Sequence, residues 1–164
     1  MGEFAMRSDD MAESVWDYPR PPRLEAVHQR LIVIFGGKLI ADTLAGYRVL
    51  EKSHPPTYYF PPSHVAMDLL HKASGTSLCE YKGIAEYLSV CDGERISERA
   101  AWSYSQPTEP FTAIAGYIAF YPSRVEACFV GERKVVAQQG DFYGGWITSD
   151  IRGPFKGGPG TWGW

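Results

Sequence analysis

Arg48, Glu51 and His54 fall within seven positions of one another, and Lys82 stands directly before a glycine. A carboxylate, an imidazole and an ammonium brought to one point can move a proton, and an arginine and a lysine can hold an anionic group. The glycine after Lys82 reads as a bulge, which re-aims side chains and is common beside active sites. These residues make Glu51, His54 and Lys82 the candidate catalytic set, with Arg48 as a ligand contact. The same four also suit an ordinary ion-pair network closing the end of a β-barrel, because structural networks bring such groups together too.

Cys79 is a second candidate: with His54 as base, its thiol could serve as a nucleophile. It shares strand parity with Tyr81, Ala85 and Tyr87, which equally reads as core. Tyr58, Tyr59, Trp102 and Tyr104 can form walls on which a planar ligand stacks, or can be core. No metal site is expected. His28, His54, His64, His71 and the three cysteines show neither Cys-x-x-Cys nor His-x-x-x-His spacing. No cofactor is expected either, since there is no Gly-x-x-x-x-Gly-Lys-Ser/Thr and no Gly-x-Gly-x-x-Gly after a strand. A nucleotide would have to be held by side chains and stacking.

The elements that must position these residues are strands. Leu31–Phe35, Gly36-Gly37 and Lys38–Asp42 read as a hairpin, the glycines supplying the positive φ of a tight turn. Arg48–Glu51 reads as the next strand. Thr57–Phe60, hemmed in by Pro55-Pro56 and Pro61-Pro62, reads as an edge strand or a rigid extended segment. Ser63–Leu70 is the best helix candidate, with Ser63 as N-cap and a strand as the alternative for Met67–Leu70. Leu78–Cys91 alternates as one strand, Asp92-Gly93 turns the chain, and Arg95–Tyr104 returns. Tyr117–Tyr121, Val125–Val130 and Lys134–Ala137 complete a sheet.

Composition agrees. The chain has 164 residues, 14% of them aromatic, with 17 glycines and 12 prolines, a turn-rich β signature. A net charge of −3 excludes the basic footprint of a general nucleic-acid binder. No apolar run reaches the roughly 18 residues of a membrane span, so no membrane partner is expected. There is no asparagine, which excludes asparagine-linked glycosylation. Three widely spaced cysteines do not make a disulfide framework, so a cytoplasmic location is expected. Residues 1–15 read as a disordered leader, its Glu3-Phe4 pair like a cloning-site remnant. Residues 16–139 read as a β domain, and 140–164 as a Gly/aromatic extension packed on the domain or on a partner subunit.

Several strings then stand out: Ser53-His54-Pro55-Pro56-Thr57-Tyr58-Tyr59-Phe60-Pro61, Cys79-Glu80-Tyr81-Lys82-Gly83, Ala101-Trp102-Ser103-Tyr104 and Ile114-Ala115-Gly116-Tyr117-Ile118-Ala119-Phe120-Tyr121. Together, over Trp16 to Pro122, they resemble the family called domain of unknown function 427, also catalogued as nucleotidyltransferase-like. The resemblance implies a compact, mostly antiparallel β domain similar to Mss4-like folds, with at most one or two short helices. The chain departs from the family pattern at Glu80 and Ser105, where members often carry proline. It also lacks the paired Cys-x-x-Cys through which Mss4 relatives bind zinc.

The expected function is a small-molecule site for an anionic or nucleotide-like compound, transferase-like in character. The alternative is a noncatalytic binding or assembly module whose aromatic tail forms a homo-oligomer.

Overall fold

The computed structural model describes residues 12–140 and 142–164. The fold is mainly β. Its first strands are β1 (Glu13–Ser14), β2 (Arg23–Val27), β3 (Leu31–Phe35), β4 (Lys38–Thr43), β5 (Gly46–Leu50) and β6 (Thr57–Tyr59). Two long strands follow, β7 (Leu70–Cys79) and β8 (Gly83–Cys91), then β9 (Ile96–Ser103), β10 (Ile118–Phe120) and β11 (Ala127–Val130). Four two-residue strands end the chain: β12 (Arg133–Lys134), β13 (Val136–Ala137), β14 (Trp146–Ile147) and β15 (Ile151–Arg152). They form three main antiparallel sheets, in the orders β2-β5-β6, β12-β11-β3-β4 and β10-β9-β8-β7. Phe60 and Ile118 exchange both backbone hydrogen bonds at 2.8 Å, which stitches the end of β6 to β10. No helix among the described residues is long and apolar enough to cross a membrane.

The hairpin at Gly36-Gly37 forms as expected, both glycines with positive φ (59° and 76°). Asp92-Gly93 also turns the chain, its Asp92 carboxylate accepting from the N–H groups of Glu94 and Arg95.

Elsewhere the structure differs from the sequence reading. The helix over Ser63–Leu70 is absent. Two 3-10 turns, Pro62–His64 and Met67–Leu69, stand there, and Ser63 makes no cap. Eight residues are too few for a helix to form without strong tertiary support, and Val65 is instead bridged to Ala41 of β4. The continuous strand over Leu78–Cys91 breaks into a turn at residues 80–82, with Gly83 at φ 113°. The leader reading also shifts. Residues 1–11 lie outside the described residues, but β1 pairs in parallel with β15, and Val15 is fully buried.

Two apolar clusters fill the domain. The larger packs Leu31, Val33, Phe60, Val90, Ile118 and Phe120 between the sheets. The second surrounds Tyr59, Tyr87, Trp102, Tyr104, Phe111 and Ile114 on the far side of β5, β6, β8 and β9. A smaller group, Val15, Tyr18, Leu50 and Ile151, binds the two ends of the chain to β5.

Trp146 and Trp164 of the C-terminal stretch pack against earlier parts of the chain. Trp146 is fully buried in the larger cluster. Its indole N–H donates to the Phe120 carbonyl at 3.0 Å, and its ring lies 4.9 Å from that of Tyr58. Trp164 meets Trp16 edge to face at 5.3 Å, while Trp162 stays exposed. Trp146→Ala should therefore lower stability by about 3–5 kcal/mol, as large-to-small changes in a packed core do. A urea melt reads this directly, and a loss below about 1 kcal/mol would mean that the extension is not part of the core.

Candidate functional site

The site begins in the turn that follows β5. After Leu50 the chain leaves the sheet, and Glu51, Lys52, Ser53 and His54 form a turn closed by the His54 N–H on the Glu51 carbonyl at 3.0 Å. Ser53 sits at φ 71°, a left-handed conformation that costs a non-glycine residue about 1 kcal/mol or more. Three outside contacts hold it there. The Ser53 N–H donates to Val15 O at 3.0 Å, Lys52 N–H to Pro19 O at 3.2 Å, and Lys156 N–H to Ser53 O at 2.8 Å. The turn thus escapes strict alternation and carries both Glu51 and His54 to one cavity.

The opposite wall comes from the turn at residues 80–82. Because Lys82 belongs to a turn and not to a strand, the opposite-face placement that alternation would impose does not apply. Its side chain is half-buried beside Cys79, Tyr59 and Glu51. Burial disfavours its ammonium, and these neighbours more than offset it, so its pKa lies above the ordinary lysine value. Lys82 is a cation at neutral pH.

Between the two turns lies a cavity of about 300 Å³. It takes in seven of the nine residues that the sequence singles out: Glu51, His54, Tyr59, Cys79, Lys82, Trp102 and Tyr104. The Trp102 indole N–H donates to the Tyr59 hydroxyl at 3.4 Å, with the rings edge to face at 6.2 Å. Tyr104 is 5% exposed, and no partner among the described residues meets its hydroxyl. Burial pushes the phenols of Tyr59 and Tyr104 upward, so both stay neutral donors.

Arg48 and Tyr58 do not join the cavity. They are cross-strand partners in β5 and β6, one step out of phase with Val49, Thr57 and Tyr59, which face it. Arg48 instead holds Glu13 through two hydrogen bonds (3.1 and 2.9 Å) and Glu25 at 2.7 Å on the other face. That cluster holds the N-terminal strand and has its charges matched. Arg48 thus stands in an ion-pair network, whereas no carboxylate among the described residues lies within 4 Å of the Lys82 ammonium.

Sequence reading missed what the chain after Ala137 contributes: Gln138, and Tyr143, Gly144 and Lys156 of the extension, also line the cavity. Gln138 is 5% exposed and bonded on both ends of its amide. The His54 ring lies edge to face with Tyr143 at 5.2 Å. No local pattern marks these residues. Tyr81, Tyr87 and Tyr121, also on the wall, could have been found from the parity of β8 and from aromatic density.

His54 is the electrostatically altered member of the set. Burial is the main cause, with Lys156, Arg20 and Lys82 adding to it, and its pKa falls to about 4. Glu51 Oε2 lies 3.8 Å from His54 Nε2 and 3.6 Å from Arg20 Nε, so the carboxylate is shared with a cation outside the cavity.

Residues 23–131 match a family model, NTP_transf_9, described as a domain of unknown function (DUF427), and the chain belongs to that family. No curated protein matches the chain. The matched segment holds both turns and the aromatic wall, while Gln138, Tyr143 and Lys156 lie beyond it.

The low pKa of His54 sets a stability window. As pH falls below 6.5, the unfolded chain binds a proton at this histidine and the folded chain does not until about 4. Stability is therefore lost across that interval, by about 3 kcal/mol in order of magnitude. His54→Gln should flatten this fall between pH 6.5 and 4 in urea melts. A fall of unchanged size in the variant would place the acid sensitivity elsewhere.

Proposed function

We propose that this member of the DUF427 family uses the cavity to bind a small planar anion, with Lys82 holding the charge and the aromatic wall holding the ring. The observation that carries the reading is the half-buried ammonium of Lys82, which has no carboxylate within 4 Å among the described residues and sits in a wall of aromatic rings beside the unpartnered hydroxyl of Tyr104. A cation partly withdrawn from water attracts an anion more strongly than one in open solvent does. The Tyr104 hydroxyl, a neutral donor in the same lining, can donate to an oxygen of the ligand. Trp102, Tyr87 and Tyr121 offer faces or edges to a conjugated ring.

Size narrows the class. About 300 Å³ is at the small end of ligand pockets, enough for one or two fused rings with an acid group. A nucleobase or an aromatic acid fits, and a dinucleotide does not. Glu51 adds an acceptor, so a ring bearing an acid on one edge and an N–H or O–H on another would use both. Group transfer on such a ligand is the finer reading, supported by the same carboxylate.

Calorimetric titration with benzoate, indole-2-carboxylate, adenosine monophosphate and inorganic phosphate tests this. One or both of the planar acids should bind, while phosphate alone should bind weakly or not at all. Lys82→Met should weaken that binding at least about 10-fold, the loss of one charge-assisted hydrogen bond, with the fold retained by circular dichroism. Equal binding by Lys82→Met, or no heat with any planar acid, would overturn the proposal.

A further inference from the structure

The Gln138 amide is held from both sides by backbone. Its Oε1 accepts the Gly145 N–H at 3.0 Å, and its Nε2 donates to the Lys156 carbonyl at 2.7 Å. A flipped amide would set oxygen against the carbonyl and NH₂ against the N–H, so the orientation is fixed by hydrogen bonding. One Nε2 hydrogen is left, and the group facing it is His54 Nδ1 at 3.4 Å. An imidazole nitrogen that faces a donor must be the acceptor. The ring proton then sits on Nε2, the nitrogen 3.8 Å from the Glu51 carboxylate.

We infer that Gln138, beyond the family segment and just before the extension, is a positioning residue that holds His54 as its Nε2–H tautomer. Resting on the reading of the cavity as a ligand site, the consequence is a division of labour. His54 presents a hydrogen, not a lone pair, so it serves as a hydrogen-bond donor to an oxygen of the ligand, alongside Lys82 and Tyr104. Glu51, on the Nε2 side of the ring, is a carboxylate able to accept a proton. A base role for His54 would require its Nδ1, which Gln138 occupies. Donors at His54, Lys82 and Tyr104 favour a ligand rich in oxygen acceptors, such as a carboxylate or an enolate on a ring.

The charged groups around His54 set what a substitution should do. Lys156, Arg20 and Lys82 disfavour its protonation, while Glu51 stands on its Nε2 side. In Gln138→Glu a carboxylate replaces the donor, and in its ionised form it can only accept. The imidazole must then place a hydrogen on Nδ1, either by changing tautomer or by charging.

The measurement is long-range proton–nitrogen correlation on the full chain with ¹⁵N-labelled histidine at pH 7, with His54 assigned by the signals lost in His54→Gln. Wild-type His54 should show a protonated Nε2 and an unprotonated Nδ1. In Gln138→Glu the pattern should reverse or become that of an imidazolium, and the titration midpoint should rise by about one to two pH units. A wild-type spectrum with the proton on Nδ1 overturns the inference whether or not the variant folds. So does a Gln138→Glu spectrum with tautomer and midpoint unmoved. A wild-type protein that shows the Nε2–H tautomer yet binds neither benzoate nor indole-2-carboxylate overturns the ligand reading and leaves the assignment of Gln138 standing.

Discussion

One backbone conformation governs the site: Ser53 in the left-handed region, at φ 71°. A strand continued through Glu51 would have sent Lys52 and His54 to one face and Glu51 to the other. The turn breaks that rule and delivers Glu51 and His54 together, at the cost of a strained residue and a buried hydroxyl that no described group meets. Such a conformation persists only where its surroundings over-determine it. Here they are two stretches far apart in sequence, at Val15 and Pro19 and at Lys156, each bonded to the turn through backbone atoms. The N-terminal strand and the C-terminal extension are therefore parts of the site's scaffold even where their side chains do not enter it.

Electrostatics within the cavity follow from who shares what. Arg20 takes part of the Glu51 charge from outside, and Gln138 takes the free lone pair of His54. The first keeps the carboxylate from closing onto Lys82, and the second keeps His54 neutral. Lys82 and Lys156 are then the cations of the lining and Glu51 and Glu80 its carboxylates, within a largely aromatic wall where charge–ligand attraction is stronger than in open water.

Much of this was legible in the residues. Gly36-Gly37 and Asp92-Gly93 marked turns because their chemistry is local, and the β class followed from aromatic and turn residues. Glu51, His54 and Lys82 were grouped on residue type, and they do converge. Alternation alone could have separated Tyr58 from Tyr59, since neighbours in a strand cannot face the same cavity, and it could have set Arg48 apart from Val49. The turn at residues 80–82 was hidden because Gly83 fits equally a bulge in one long strand and the end of a tight connection. Gln138 was invisible for another reason. It lies 84 residues from His54, and nothing in either neighbourhood encodes a contact that only the folded chain creates.

The order in which the walls occur along the chain has a consequence for its life on the ribosome. Strands β2 to β11 emerge first and hold both turns, but Gln138, Trp146 and Lys156 come only afterwards. The residues that close the cavity thus belong to the same stretch as the tryptophan that completes the larger core. A nascent or prematurely terminated chain lacking that stretch has neither a finished pocket nor its full stability, and proteases remove chains of that kind most readily. The residues that complete the cavity and the tryptophan that completes the core therefore arrive together.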